Sequence, residues 1–172
     1  MLQSIYTDYQ QLGLQVISVQ WDAATKQPVS HREWSSDNLP LRTNDNAIMV
    51  KTGNGWGAID FDIKNTTNKH LFNQWHSVVE AQRPEILSKV FIEQTRNKGY
   101  HVWIKYDKLT KKLALADSID GAEVIALYAE GPLVYTYPTP GYSEFYQSMQ
   151  DVQDLNENEY NYLIQISQYF NE

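Results

Sequence analysis

Two aspartates separated by one residue, Asp60 and Asp62, sit in an otherwise apolar run, Trp56 to Ile63 (WGAIDFDI). Side chains alternate along a strand, so both carboxylates project to one face with Cα atoms about 6.5 to 7 Å apart. Ile59 and Phe61 take the opposite face, toward a core. Neighbouring carboxylates raise each other's pKa unless a cation lies between them, and a hard divalent ion such as Mg²⁺ prefers such oxygen ligands. The same pair also occurs on solvated strand faces, and the motif alone leaves both readings open. Asp is disfavoured in strands, and two of them inside an apolar run call for a role. A second group follows: Arg96, Asn97 and Lys98 form a polar turn just before His101. Guanidinium, ammonium and imidazole groups there suit a polyanion held opposite the carboxylates, although a histidine on a strand is often a satisfied structural residue. Glu123, beside Val124 and Ile125, completes a carboxylate trio if its strand lies next to the Asp60/Asp62 strand. Otherwise it is a solvent-facing edge glutamate, with Asp117, Asp120 and Glu130 as rivals. Three carboxylates and two divalent ions suit in-line phosphoryl or nucleotidyl transfer. Lys51 and Thr52 are further candidates to line the cleft. His31, His70 and His76 read as surface residues.

The elements that must position these groups can be read in order. Leu2, Ile5, Tyr6, Tyr9 and Leu12 have helical spacing, with Gly13 as a stop. Leu14 to Trp21 alternates like a strand, and the segment from His31 to Thr43 reads as irregular or briefly helical. Ala47 to Val50 and Trp56 to Ile63, around Thr52-Gly53-Asn54-Gly55, have the pattern of a hairpin. Thr66-Thr67-Asn68 can cap a helix through Leu71, Phe72, Trp75, Val78 and Val79. Ser88 to Thr95 and Tyr100 to Tyr106 read as strands, with His101, Trp103 and Lys105 on one face of the second. Leu109 to Leu115 reads as a short basic helix or loop. Gly121 to Leu127 and Pro132 to Tyr137 read as a further strand pair, closed by Pro138 and Pro140, and Asp154 to Phe170 as a terminal helix. The sum is about seven strands with helices between and at the ends, an α+β domain.

Composition narrows the function classes. The chain has 172 residues, 42% hydrophobic and 13% aromatic, enough for one domain with a sizeable core. It has no cysteine, which removes disulfides and cysteine-ligated metal sites. No apolar run approaches the ~20 residues of a membrane span, and the N-terminus lacks the features of a secretion signal, so a cytoplasmic protein without membrane contact is expected. The net charge of −7 argues against a stand-alone, high-affinity nucleic-acid binder. It leaves room for an enzyme that holds nucleic acid through a local basic groove and metal ions.

The succession LGLQVISV, TKQP, IMVKTGNGWGAIDFDI, TRNKGYHVWIKY and GAEVIALYAEGPLVYTYPTP resembles the catalytic domain of the archaeo-eukaryotic primase superfamily. It looks most similar to the bifunctional primase-polymerase branch found in plasmids, phages and mobile elements. The resemblance covers roughly Leu12 to Tyr142. It implies a catalytic domain over residues 1–145, with 146–172 as a helical extension. It also implies an RRM-like antiparallel sheet packed with a second small α/β unit, with the active site in the cleft between them. Carried over residue by residue, Asp60, Asp62 and Glu123 are the metal carboxylates, and His101 contacts the phosphates of the incoming nucleotide. Asn97-Lys98-Gly99 stands where the family usually has Ser-Gly-Gly. Asn97 can still donate a hydrogen bond and Lys98 adds charge, so Arg96, Asn97 and Lys98 are the accompanying nucleotide binders.

The function expected is a DNA primase and/or DNA polymerase using two Mg²⁺ or Mn²⁺ ions, nucleoside triphosphates and a single-stranded DNA template. A helicase is expected as a separate chain or a further region. A non-catalytic nucleotide- or nucleic-acid-binding module on the same fold is the alternative. A metal-dependent nuclease with the same carboxylates ranks below both, because it has no need of a triphosphate corner at Arg96 to His101.

Overall fold

The structure is a computed structural model and describes residues 1–29 and 39–171, so His31 lies outside the described residues. The chain opens with α1 (Leu2–Gln11), which ends at Gly13 in the left-handed region (φ +79°). Strand β1 (Gln15–Val19) and a short ribbon of β2 (Trp21–Asp22) and β3 (Gln27–Pro28) follow. Next come β4 (Ala47–Lys51), β5 (Trp56–Phe61), a 3₁₀ turn at Ile63–Asn65, α2 (Leu71–Gln82) and α3 (Pro84–Leu87). The second half is strand-rich: β6 (Phe91–Gln94), β7 (Tyr100–Lys105), β8 (Leu113–Asp117), β9 (Glu123–Tyr128), β10 (Leu133–Thr136) and β11 (Ser143–Tyr146). Helix α4 (Glu157–Gln168) closes the chain, its N-terminus held by a capping box between Asn156 and Glu159.

This is an α+β fold built on two main antiparallel sheets. A six-stranded sheet has the order β11-β6-β7-β5-β9-β8, and a three-stranded sheet the order β1-β4-β10. One face of the large sheet carries Ile59, Phe61, Ile92, Val102, Ile104 and Leu127. It packs on Phe72, Trp75 and Val79 of α2, Ile86 of α3 and Leu163 of α4. Helix α4 is therefore part of this core, and the Trp75 indole N–H donates to the buried Ser167 hydroxyl at 3.1 Å. The other face carries Trp56, Ala58, Phe91 and Trp103 and packs on Val16, Ile48, Val50 and Val134 of the small sheet and on Tyr6 and Tyr9 of α1. Strand β5 is thus covered on both faces, which explains why its sequence is almost wholly apolar. Among the described residues no helix is long and apolar enough to cross a membrane.

Several local expectations change. The runs on either side of Gly53-Asn54-Gly55 are strands, but not a hairpin: β4 pairs with β1 and β10, while β5 pairs with β7 and β9. The glycines hand the chain from one sheet to the other, from the middle strand of the small sheet to an interior strand of the large one. Likewise β9 and β10 belong to different sheets around Glu130 and Gly131. The segment expected as a basic helix or loop ends in edge strand β8, and β11 adds a strand beyond the prolines expected to close the sheet. The helix after Asn68 starts at Leu71 with His70 as its N-cap and no side-chain cap bond.

Candidate active site

The register of the large sheet puts three ionisable residues in one row. His101 of β7 lies directly opposite Asp60 of β5 and directly opposite Glu93 of β6. Directly opposed residues share a face, so all three point toward the small sheet. His101 Nε2 lies 3.3 Å from Asp60 Oδ1, and Nδ1 lies 2.9 Å from Glu93 Oε1. His101 is 6% exposed and Glu93 is fully buried. Burial alone would lower the imidazole's pKa. The hydrogen bonds and charges of Asp60 and Glu93 prevail and push it up to about 10, so at neutral pH both ring nitrogens donate.

Glu93 is held by several donors where it lies. Its Oε1 also accepts from the Trp103 indole N–H at 2.9 Å, and its Oε2 accepts from the Thr136 hydroxyl at 2.9 Å and the Tyr137 backbone N–H at 2.7 Å. The last two donors come from β10 and the residue after it, so this carboxylate fastens the two sheets where the cleft begins. Sequence reasoning missed Glu93. The signal was present as a single carboxylate inside the run Val-Phe-Ile-Glu-Gln, two residues from the polar turn.

Asp62 lies just past the end of β5 and starts the 3₁₀ turn, so strand alternation does not orient it. Its backbone N–H still donates to Val124 O at 2.8 Å, and its carboxylate meets Lys64 Nζ and Asn65 Nδ2, each at 3.1 Å. Asn65 Nδ2 also donates to Glu123 O at 2.9 Å, which ties the turn to β9. Strand β9 is the direct neighbour of β5 that the trio requires. The β8–β9 register shifts between the Ala116–Ile125 and Asp117–Glu123 pairs. Val124 and Ile125 both enter the core on the helical side. The bulge thus turns Glu123 toward the Asp60 side of the sheet, which simple alternation from Ile125 would not do. Tyr128 records the result: burial, then the charges of Asp60, Glu123 and Asp62, push its hydroxyl up to about 12.

The cleft itself is lined by Asp60, Phe61, Asp62, Lys64, Thr95, Asn97, His101 and Tyr142. Burial and the Glu93 and Asp60 charges push the Tyr142 hydroxyl well above its ordinary value. Glu123 stands beside this cleft rather than in its wall, with its carboxylate 2.9 Å from Lys112 Nζ. Among the described residues, no three His, Asp or Glu side chains converge closely enough to hold a metal ion as they stand. The donor set still suits a hard divalent cation, because Asp60, Asp62 and Glu123 offer oxygen ligands only, each partly open to solvent.

The polar turn is a tight connection in which Thr95 N donates to Gly99 O at 2.9 Å and Lys98 adopts φ +63°. It sends its cations apart. Arg96 turns into a neighbouring pocket with Trp21 and Tyr135, Lys98 into a groove with Lys64 and Lys69, and only Asn97 reaches the His101 cleft. The rivals for the third carboxylate fall elsewhere. Asp117 opposes Glu123 on the edge strand, Asp120 sits in the β8–β9 turn, and Glu130 follows β9 at the Trp56 end of the sheet. Lys51 and Thr52 belong to the small sheet side, where the Thr52 hydroxyl donates to Pro132 O at 3.1 Å. His70 is exposed, but His76 is half-buried against Phe72 and Phe145.

No protein-family model matches this chain, and no curated protein matches it.

Proposed function

We propose that this chain is a template-dependent nucleotidyltransferase, a DNA primase and/or DNA polymerase on a primase-polymerase fold. The observation that carries the reading is the register: Asp60 opposite His101, with the Glu123 strand on the other side of β5. This brings the Asp60 and Asp62 carboxylates and a cationic imidazole to one cleft, with Glu123 beside it, a set of groups that suits transfer to a nucleoside triphosphate.

In this reading Asp60, Asp62 and Glu123 hold two Mg²⁺ or Mn²⁺ ions. Bound there, such ions supply positive charge to the α-phosphate and lower the pKa of the attacking 3′-hydroxyl. His101 Nε2, which lies 3.3 Å from Asp60 Oδ1, would turn its N–H to the phosphates of the incoming nucleotide once Asp60 ligates metal, and Glu93 keeps the ring in place. Asn97 adds a neutral donor at the same cleft. The Tyr142 hydroxyl, held protonated by burial and the nearby carboxylates, adds a further O–H donor at the cleft. A single-stranded DNA template, a separate helicase and the replication of a plasmid, phage or mobile element belong to the same reading.

A second reading is a nucleotide- or nucleic-acid-binding module without catalysis. It is favoured by the pairing of each carboxylate within the protein: Asp60 with His101, Asp62 with Lys64 and Glu123 with Lys112. One assay separates the two. Labelled deoxynucleotide or ribonucleotide incorporation is followed on a single-stranded template, with Mn²⁺ or Mg²⁺, with and without a primer. Wild type is compared with Asp60→Ala and Asp62→Ala. Product from wild type alone supports the enzyme, and product without primer makes it a primase. No product from folded wild-type protein, with metal-independent nucleotide binding by calorimetry, supports the module.

A further inference from the structure

Beside the Asp60–His101 cleft, sharing Asn97 and Tyr142 with it, lies a pocket of different chemistry. Its walls are the rings of Trp21, Tyr135 and Tyr142 and the cations Arg96 and Lys26, and among the described residues no carboxylate lines it. In a chain of net charge −7, such a pocket selects for anions.

Arg96 is built into the wall rather than free to swing. Its guanidinium carbon lies 3.8 Å from the centroid of the Trp21 ring. Its Nε and Nη2 both donate to Pro140 O, at 3.2 and 2.6 Å. Gly141 (φ +90°) presses on the same side chain: a Cβ there would come within 3.0 to 3.1 Å of Arg96 Cβ, Cγ and Nε. Tyr135 meets the Trp21 ring edge-on, with centroids 5.1 Å apart. The pocket thus presents fixed flat surfaces before any ligand arrives. The Trp21 indole N–H itself is buried and has no hydrogen-bond partner among the described residues. Lys26 stands exposed at the mouth, held at φ +56° by the β2–β3 turn.

We propose that this pocket is a second binding site that takes one nucleotide unit, its flat base against the Trp21, Tyr135 and Arg96 surfaces and its phosphate at Lys26. Rings and guanidinium planes are the surfaces on which unpaired bases stack, and a lysine at the rim supplies the phosphate contact. The site rests on the reading of the neighbouring cleft as a nucleotidyltransferase centre only for its purpose, not for its chemistry. The unit comes either from a single strand passing the centre or from a free nucleotide.

The test is binding by fluorescence anisotropy of a fluorescein-labelled oligo-dT, and by calorimetry of dATP, both with EDTA so that the carboxylate cleft is not engaged through metal. Wild type, Trp21→Leu, Trp21→Phe and Lys26→Ala are compared, with circular dichroism as the folding control. Trp21→Leu and Lys26→Ala are expected to weaken binding at least about tenfold. Trp21→Phe, which keeps a smaller ring, falls between. Loss confined to oligo-dT assigns the pocket to the strand, and loss confined to dATP assigns it to the free nucleotide. If Lys26→Ala and Trp21→Phe both bind both probes as wild type does, the proposal is overturned, even where Trp21→Leu fails to fold. Trp21-dependent binding in a protein that makes no product in the primer assay would instead overturn only the reading of the neighbouring cleft.

Discussion

Glu93 and His101 face each other across β6 and β7, with Oε1 2.9 Å from Nδ1. The carboxylate is fully buried and reaches the small sheet through Thr136 and Tyr137. One side chain therefore orients the imidazole and joins the two sheets. A buried charge paired in this way is weak as a net source of stability, but removing its carboxylate orphans several donors at once. Glu93→Ala is expected to cost about 3 to 5 kcal/mol in urea unfolding. Glu93→Gln keeps the shape but loses acceptor capacity, and should cost about 1 to 3 kcal/mol. Equal stability of Glu93→Ala and wild type would show that the row does not hold the sheets together.

The elevated pKa of His101 gives stability a direction with pH. The folded ring titrates at about 10 and the unfolded ring near 6.5. The folded state thus binds the proton more tightly. Its contribution is complete below the unfolded value and is lost as pH rises through the folded one. In EDTA, wild-type stability from this group should therefore decline between roughly pH 6.5 and 10. His101→Gln should flatten that decline. Denaturation midpoints at several pH values across the window check this, and a wild-type curve that rises through it would contradict the Asp60–His101–Glu93 arrangement.

Gly99 is fixed by contact rather than by a special φ. A Cβ added there would run into the carbonyl oxygen of Phe61, the residue after Asp60, and would crowd the Thr95 hydroxyl. Backbone cannot give way as a flexible side chain can. Gly99→Ala should cost several kcal/mol, on the order of a severe overpacking substitution, and should shift the β5–β7 edge that carries Asp60. Gly121, which has nothing within 4 Å of an added Cβ, serves as the control. Gly121→Ala bears only the strain of φ +75°, about 1 kcal/mol. Thermal melts of the two variants, with chemical-shift mapping of β5, test the difference; similar losses in both would rule out the Phe61 contact as the cause.

Much of the site could be read from residue order because it is local. The polar turn between β6 and β7 and the alternation of His101, Trp103 and Lys105 fix one hairpin and one face. Asp60, two residues from Ala58 and opposite Ile59 and Phe61, follows from the same period. What escaped depends on choices that period two does not encode. Nothing in Ala47–Lys51 or Trp56–Phe61 states that they join different sheets. Glu123 reaches the Asp60 side only through the bulge at Val124, and Asp62 has already left the strand. Arg96 reads as a phosphate ligand until Trp21 and Pro140, distant in sequence, are seen to claim it. Glu93 was visible as a charge in an apolar run, but its register opposite His101 and its donors from Thr136 and Tyr137 come only with the fold.

Lys112 competes with any cation for Glu123. Its Nζ lies 2.9 Å from the Glu123 carboxylate and 4.9 Å from the Tyr128 ring centroid. Both members of the pair are partly exposed, so the interaction is modest, about 0.2 to 1 kcal/mol, and screened by salt. If Glu123 serves as a metal ligand, breaking the pair should free its oxygens. Lys112→Met is then expected to lower the Mn²⁺ concentration that gives half-maximal thermal stabilisation by up to about fivefold, the factor that corresponds to the upper end of that range. The shift should shrink at high ionic strength. Glu123→Gln should raise the same concentration, and in the double variant Lys112→Met should have no further effect. Melting temperatures across a Mn²⁺ titration measure all three proteins. A Lys112→Met curve that overlays wild type at low salt, together with an unaltered Glu123→Gln curve, would remove Glu123 from the metal site and leave Asp60 and Asp62 as its carboxylates.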